Sequence, residues 1–169
     1  MPRRLSGVFT EINPAHITNP ILAFLKDYWD KKRGIRPMPA RADIVPAEMK
    51  PHLGWVVLVD VLPDFSDFRY RTIGTNVTRY ILADATGKTV RDVFERYGEA
   101  AVNGNLVTYR KCARDKAIVR AYGPAAWMEH DFLDFESLYL PLSDDGETVN
   151  MILSAVLFEM AAPLKPDAA

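Results

Sequence analysis

Three histidines, one cysteine and a knot of carboxylates are the side chains with the chemistry for catalysis or metal binding. His16, His52 and His130 lie in separate segments with no i, i+4 pair and no Cys-x-x-Cys beside them, so their spacing does not build a metal set. Cys112 sits within a helical pattern between Lys111 and Ala113, without the histidine base or oxyanion donors that a thiol nucleophile needs. The run HDFLDFE, residues 130–136, brings His130 together with Asp131, Asp134 and Glu136. An Asp/His acid-base pair is one reading of it, and a solvated rim is the plainer one. Glycine-rich phosphate loops, His-Glu-x-x-His and Gly-x-Ser-x-Gly are absent from the sequence. The residues thus indicate a protein that is not an enzyme, with no catalytic residue and no metal set; the cofactor stays unassigned.

Charge supplies the other polar candidates. Asp60 interrupts an apolar run, and Arg69 and Arg71 follow on the next predicted strand. A cross-strand ion pair is the ordinary outcome, and a bidentate grip on an acidic ligand is the alternative. Lys and Arg number 21 against 22 Asp and Glu, a formal charge of -1, so no net field draws the chain to phosphate backbones or anionic lipid. Nucleic acid and membrane are not expected partners. A single cysteine suits a reducing compartment, and no secretory leader or membrane-length apolar run is visible, which together point to the cytoplasm.

These residues must be placed by the elements around them. Ile21, Leu25, Tyr28 and Trp29 recur at helical spacing, Asn19 can cap, Pro20 fits the first position and Gly34 the end, so a helix is predicted over 18–33. Lys31, Lys32 and Arg33 fall in its last turn, where cations complement the helix dipole. In the following RGIRPMPARADIVP, Pro37 and Pro39 favour an extended strut, which reads as a stiff connector more than a basic arm. Pro46 suits the start of a short helix through Lys50.

Two strands from Gly54 to Gly74 form a hairpin across PDFSD. Short helical pieces then carry Val77, Tyr80 and Ile81, and after them Val90, Val93 and Phe94. A longer helix spans about 99–114 with Val102, Leu106, Tyr109 and Ala113 aligned. Three strands close the pattern: KAIVRAYG, FESLYLPL and TVNMILSAVLFEM, the last two joined at SDDG. Pro141 within the middle one implies an edge position or a bulge. Strands and helices segregated in this way predict an α+β fold with a mainly antiparallel sheet.

The span YRTIGTNVTRYILADATGKTVRDVF, Tyr70 to Phe94, resembles a PAS sensory domain, where a second strand runs into short helices, and LYLPLSDDGETVNMILSAVLFE resembles its closing hairpin. YWDKKRGIRPMPARADIVPAEM, FRYRTIGT and LPLSDDG are more narrowly similar to a bacterial family of single-domain PAS-type proteins of largely uncharacterised function. That family's pattern carries an acidic residue where this chain has Val45, which removes a helix cap unless Asp43 replaces it.

The resemblance implies a five-stranded antiparallel sheet with helices on one face and an N-terminal helix outside that core. It divides the chain into a segment 1–17, a helix and connector 18–53, a PAS-like domain 54–160 and a flexible tail 161–169. A cavity between sheet and helices would be lined by Tyr70, Arg71, Tyr80, Phe94, Tyr109 and Tyr139, with ordinary core packing as the alternative for each aromatic. The stripe Ile21, Leu25, Tyr28 and Trp29 would either pack on its own domain or pair with a second copy, and the resemblance implies homodimerisation through this helix and the outer sheet face. The implied function is a sensory domain that binds a small ligand or a protein partner and passes its output to a separate signalling protein. The rivals are an interaction adaptor with a filled core and a small cone-shaped α+β enzyme using the Asp/His pair.

Overall fold

The computed structural model describes residues 7–81, 84–125 and 132–160. In chain order its regular elements are β1 (Phe9–Ile12), α1 (Pro20–Arg33), β2 (Val56–Val61), β3 (Phe68–Ile73), α2 (Thr75–Ile81), α3 (Val90–Phe94), α4 (Glu99–Asp115), β4 (Val119–Pro124), β5 (Leu133–Leu142) and β6 (Met151–Met160). The strands form one antiparallel sheet in the order β1-β4-β5-β6-β2-β3. Five of them are those expected. The sixth, β1, comes from the segment before the first helix, and it extends the sheet beyond β4.

Alternation along β5 divides the sheet into two faces. Phe135, Ser137 and Tyr139 point toward α4, whereas Leu138, Leu140 and Leu142 point away from it and are fully buried. What buries them is α1, which lies across β5 and β6. Its start is fixed as the sequence indicates: the Asn19 side chain accepts from the N–H groups of Ile21 and Leu22 at 2.9 and 3.3 Å, with Pro20 in the first position. Gly34, at φ +57°, ends it in a conformation that disfavours other residues. Leu25, Tyr28 and Trp29, expected to meet a second copy, are instead spent on the chain's own sheet, and Ile21 is half-buried beside them.

The proline-rich stretch is the strap that permits this docking. Met38 inserts into the core, and the Pro39 carbonyl accepts from the Ser143 N–H at 2.9 Å, which pins the strap to the β5–β6 loop. Val45 does not cap the 3-10 helix Pro46–Trp55 that follows. Asp43 does not take its place either, since it accepts from the Ala40 N–H at 2.7 Å and pairs with Arg36. The Tyr28 hydroxyl instead anchors the residue before the helix: it accepts from the Val45 N–H at 2.9 Å and donates to Glu48 at 2.8 Å, and Glu48 in turn pairs with Lys32. Helix and strap are thereby joined through one phenol.

Pro141 meets the expectation of an edge position only locally. It lies in a central strand, yet β4 ends at the pair Val119–Tyr139, so past that point one side of β5 is open. The missing N–H costs little there. Its carbonyl accepts from the Trp29 indole at 2.8 Å.

The entry to α2 is set by a close backbone approach. A Cβ on Gly74 would stand 2.2 Å from the Gly54 carbonyl oxygen and 2.5 Å from that of Leu53, atoms that cannot swing aside. Gly74→Ala is expected to cost about 1–3 kcal/mol through this overlap. Chemical denaturation would read it as a lower midpoint with an unchanged slope.

Candidate ligand site between the sheet and the helices

The inner face of the sheet carries the aromatic cluster. Tyr139 projects from β5, Tyr70 from β3 where it pairs with Val59, and Tyr109 descends from α4. The Tyr109 ring stacks on Phe68 at 5.0 Å and meets Tyr139 edge-on at 4.9 Å. The hydroxyls gather in one place: those of Tyr70 and Tyr109 lie near each other, with Ser154 near Tyr109 and Ser137 near Tyr139, while Ser154 and Ser137 themselves donate to the Val57 and Ala121 carbonyls at 3.4 and 3.3 Å. Burial pushes the Tyr70 and Tyr109 phenols well above their ordinary range and that of Tyr139 up to about 12. Beneath them Cys112 is fully buried, and burial raises its thiol well above its ordinary value, which suits inert packing and not nucleophilic use.

Of the six candidates for this cavity, Tyr70, Phe94, Tyr109 and Tyr139 do line it, together with Val57 and Val77. Tyr80 does not. Half-buried, it stacks on Phe158 at 4.5 Å and on Trp55 at 6.2 Å at the cavity's outer margin. Arg71 is excluded by strand alternation, which turns it from the face Tyr70 occupies. It is exposed and pairs with Asp60 at 2.8 Å, the ordinary outcome for that charge pattern. The enclosed space itself is about 40 Å³. That is on the scale of the roughly 30 Å³ a water takes in the liquid and far below the ~300 Å³ at which ligand pockets begin.

A larger space adjoins it. Between α4 and the β1–β4 end of the sheet runs a groove of about 390 Å³, walled by Val8 and Thr10 on one side and by Ala100, Gly104 and Val107 on the other. It shares Asn105, Phe135 and Tyr139 with the tyrosine cavity, so the two lie side by side. Two polar side chains face the apolar walls. Thr108 is 5% exposed and its hydroxyl makes no hydrogen bond among the described residues. Asn105 donates to the Ala101 carbonyl at 2.9 Å, and its own side-chain oxygen has no partner among them.

The sequence reading missed both residues. The available signal was the run of small residues Ala100, Ala101 and Gly104 on one side of α4, which leaves room beside a helix that is otherwise packed.

Comparison with known proteins agrees with this architecture. The PAS domain family matches residues 17–157. This chain belongs to that family. A solved structure described as an RNA-binding light-oxygen-voltage receptor superposes with a TM-score of 0.51 at 11% identity, over 92% of this chain and 39% of that one. At that identity the likeness concerns the PAS fold alone, and the chain spans about two-fifths of the receptor's length. No curated protein matches.

Within the PAS domain the Asp/His idea gains nothing. His130 and Asp131 lie outside the described residues, as does the tail 161–169. Asp134 sits on the outer face of β5 opposite Glu159, away from the cavity, with one carboxylate oxygen buried and unpartnered. No group of three potential metal ligands occurs among the described residues. None of their helices is long and apolar enough to cross a membrane.

Proposed function

We propose that this PAS domain is a non-enzymatic sensor that takes a small, largely apolar molecule with one polar group into the groove between α4 and β1–β4. The observation carrying this is the 390 Å³ space of ligand size itself, into which the Thr108 hydroxyl opens with no hydrogen-bond partner among the described residues. Asn105 supplies a second polar contact where the groove meets the tyrosines. Occupancy would favour one arrangement of α4 over another, and a separate protein would read the difference.

The size of the tyrosine cavity favours a second reading. With a volume near that of a single water and aromatic rings packed against one another, the domain would be an adaptor whose surfaces alone carry the signal.

Gly104 separates the two. Its Cβ direction meets nothing within 4 Å, so Gly104→Leu would fill the groove without displacing the core. Replacing a helical glycine with leucine should add about 0.8–1 kcal/mol, or roughly 2–4 °C in Tm. Native mass spectrometry of the purified protein and a thermal-shift screen with small metabolites are expected to find a ligand for the parent chain and none for the more stable G104L. Binding by neither supports the adaptor, and equal binding by both removes the groove.

A further inference from the structure

The two edges of this sheet are treated differently. At the β3 edge the loop 87–89 closes over the backbone: the Tyr70 N–H donates to the Lys88 carbonyl at 2.9 Å, the Gly87 N–H to the Tyr70 carbonyl at 2.7 Å, and Arg69 bridges Thr89. Exposed Arg69 and Arg71 and an irregularity between Leu58 and Val59 guard it further. These are the devices by which sheets avoid pairing with other chains.

The β1 edge lacks the covering loop and the bulge; its protection is limited to its four-residue length and to Glu11, whose charge Arg120 offsets. FTEI contains no proline, lysine or bulge, and among the described residues nothing pairs with its outer side. The Asn13 N–H bonds the Ile118 carbonyl at 2.7 Å, so with the register Phe9↔Tyr122 to Ile12↔Val119 the odd residues bond β4. Val8, Thr10 and Ile12 therefore present their N–H and C=O groups outward. Val8 and Ile12 are also 49% and 41% exposed, and nearby Val107 on α4 is 58% exposed.

We propose that this edge binds a second copy of the chain, antiparallel about a two-fold axis through Thr10, so that the two sheets become one. The strand is complementary to itself in that register and no other partner need be invoked. Thr10 faces Thr10 as a hydrogen-bonded pair, and Val8 faces Ile12 of the other copy twice, burying the apolar side chains on the face that carries α4. Phe9 and Glu11 face each other on the opposite side. A homodimer was expected through α1, whose stripe is covered within the chain; the edge provides a different surface. Short strands bury little area, so a dissociation constant on the order of 10 µM is expected.

The test is sedimentation of the full chain up to about 300 µM, well past that constant. The parent should shift to dimer, and Thr10→Pro should stay monomeric with unchanged circular dichroism, since the N–H it removes points away from β4. Thr10→Cys supplies a measurement independent of that variant's folding. Across a hydrogen-bonded pair the Cα atoms stand about 5.5 Å apart, within disulfide range. Mild oxidation should cross-link Thr10→Cys and not Glu11→Cys, with native Cys112 silent because it is fully buried. A parent that stays monomeric throughout overturns the proposal, as does a dimer that Thr10→Cys fails to cross-link or that a folded Thr10→Pro still forms.

Discussion

Trp29→Ala should lower the stability of the domain by about 3–5 kcal/mol, the range for removing a large aromatic from a core. Trp29 is the point where the outer helix meets the sheet. Its ring is 5% exposed, its indole N–H satisfies the Pro141 carbonyl at 2.8 Å, and the Arg33 guanidinium lies over it at 5.5 Å. Truncation leaves a void against β5 and strands a buried carbonyl that β4 is too short to reach. Trp29→Phe keeps most of the volume and loses the hydrogen bond, so it should cost about 1–3 kcal/mol. Urea titration of the three proteins would check this. An alanine variant within 1 kcal/mol or so of the parent would mean that α1 adds little to the fold.

Alkali should unfold the protein in a steep transition. Tyr70, Tyr109 and Tyr139 all hold their protons beyond the ordinary phenol range because burial penalises the phenolate. Their contribution to stability is complete below about pH 10, the ordinary value in the unfolded chain. Above it the unfolded chain releases protons that the native state keeps, and each tyrosine withdraws about 1.4 kcal/mol per pH unit up to its native value. Three together withdraw about 4 kcal/mol per unit between pH 10 and 12, enough to exhaust an ordinary domain's 5–15 kcal/mol. Cys112, also raised by burial, begins the decline near pH 9. Denaturant midpoints measured at half-unit steps should show this slope, and Tyr109→Phe should reduce it by about one proton. A flat profile between pH 10 and 11.5 would place these hydroxyls in contact with solvent.

What the sequence made legible was whatever is decided locally. The Asn19 cap, Pro20 and Gly34 delimit α1 within two residues of its observed start, and the spacing of Val102, Leu106 and Tyr109 gives α4. The faces of β5 follow from alternation. Pairings between distant segments were not legible. Phe9 to Ile12 is a four-residue strand that exists only because β4, about 110 positions later, offers it a ladder. Tyr70 and Arg71 could not share one cavity once the strand's period of two was respected, so that error was avoidable in the sequence itself. The groove was missed for another reason: a site made by what small residues leave vacant has no distinctive side chain to announce it.

The position of β6 has a consequence for synthesis. It is the last strand of the sheet in chain order, yet it stands in the interior between β5 and β2, with Leu153 paired both to Leu140 and to Leu58. A nascent chain that has produced everything through β5 holds two unjoined half-platforms, and only the final segment sutures them. The keystone is therefore made after every other strand of the sheet, and until it arrives the edges of β2 and β5 that it will join stay unpaired.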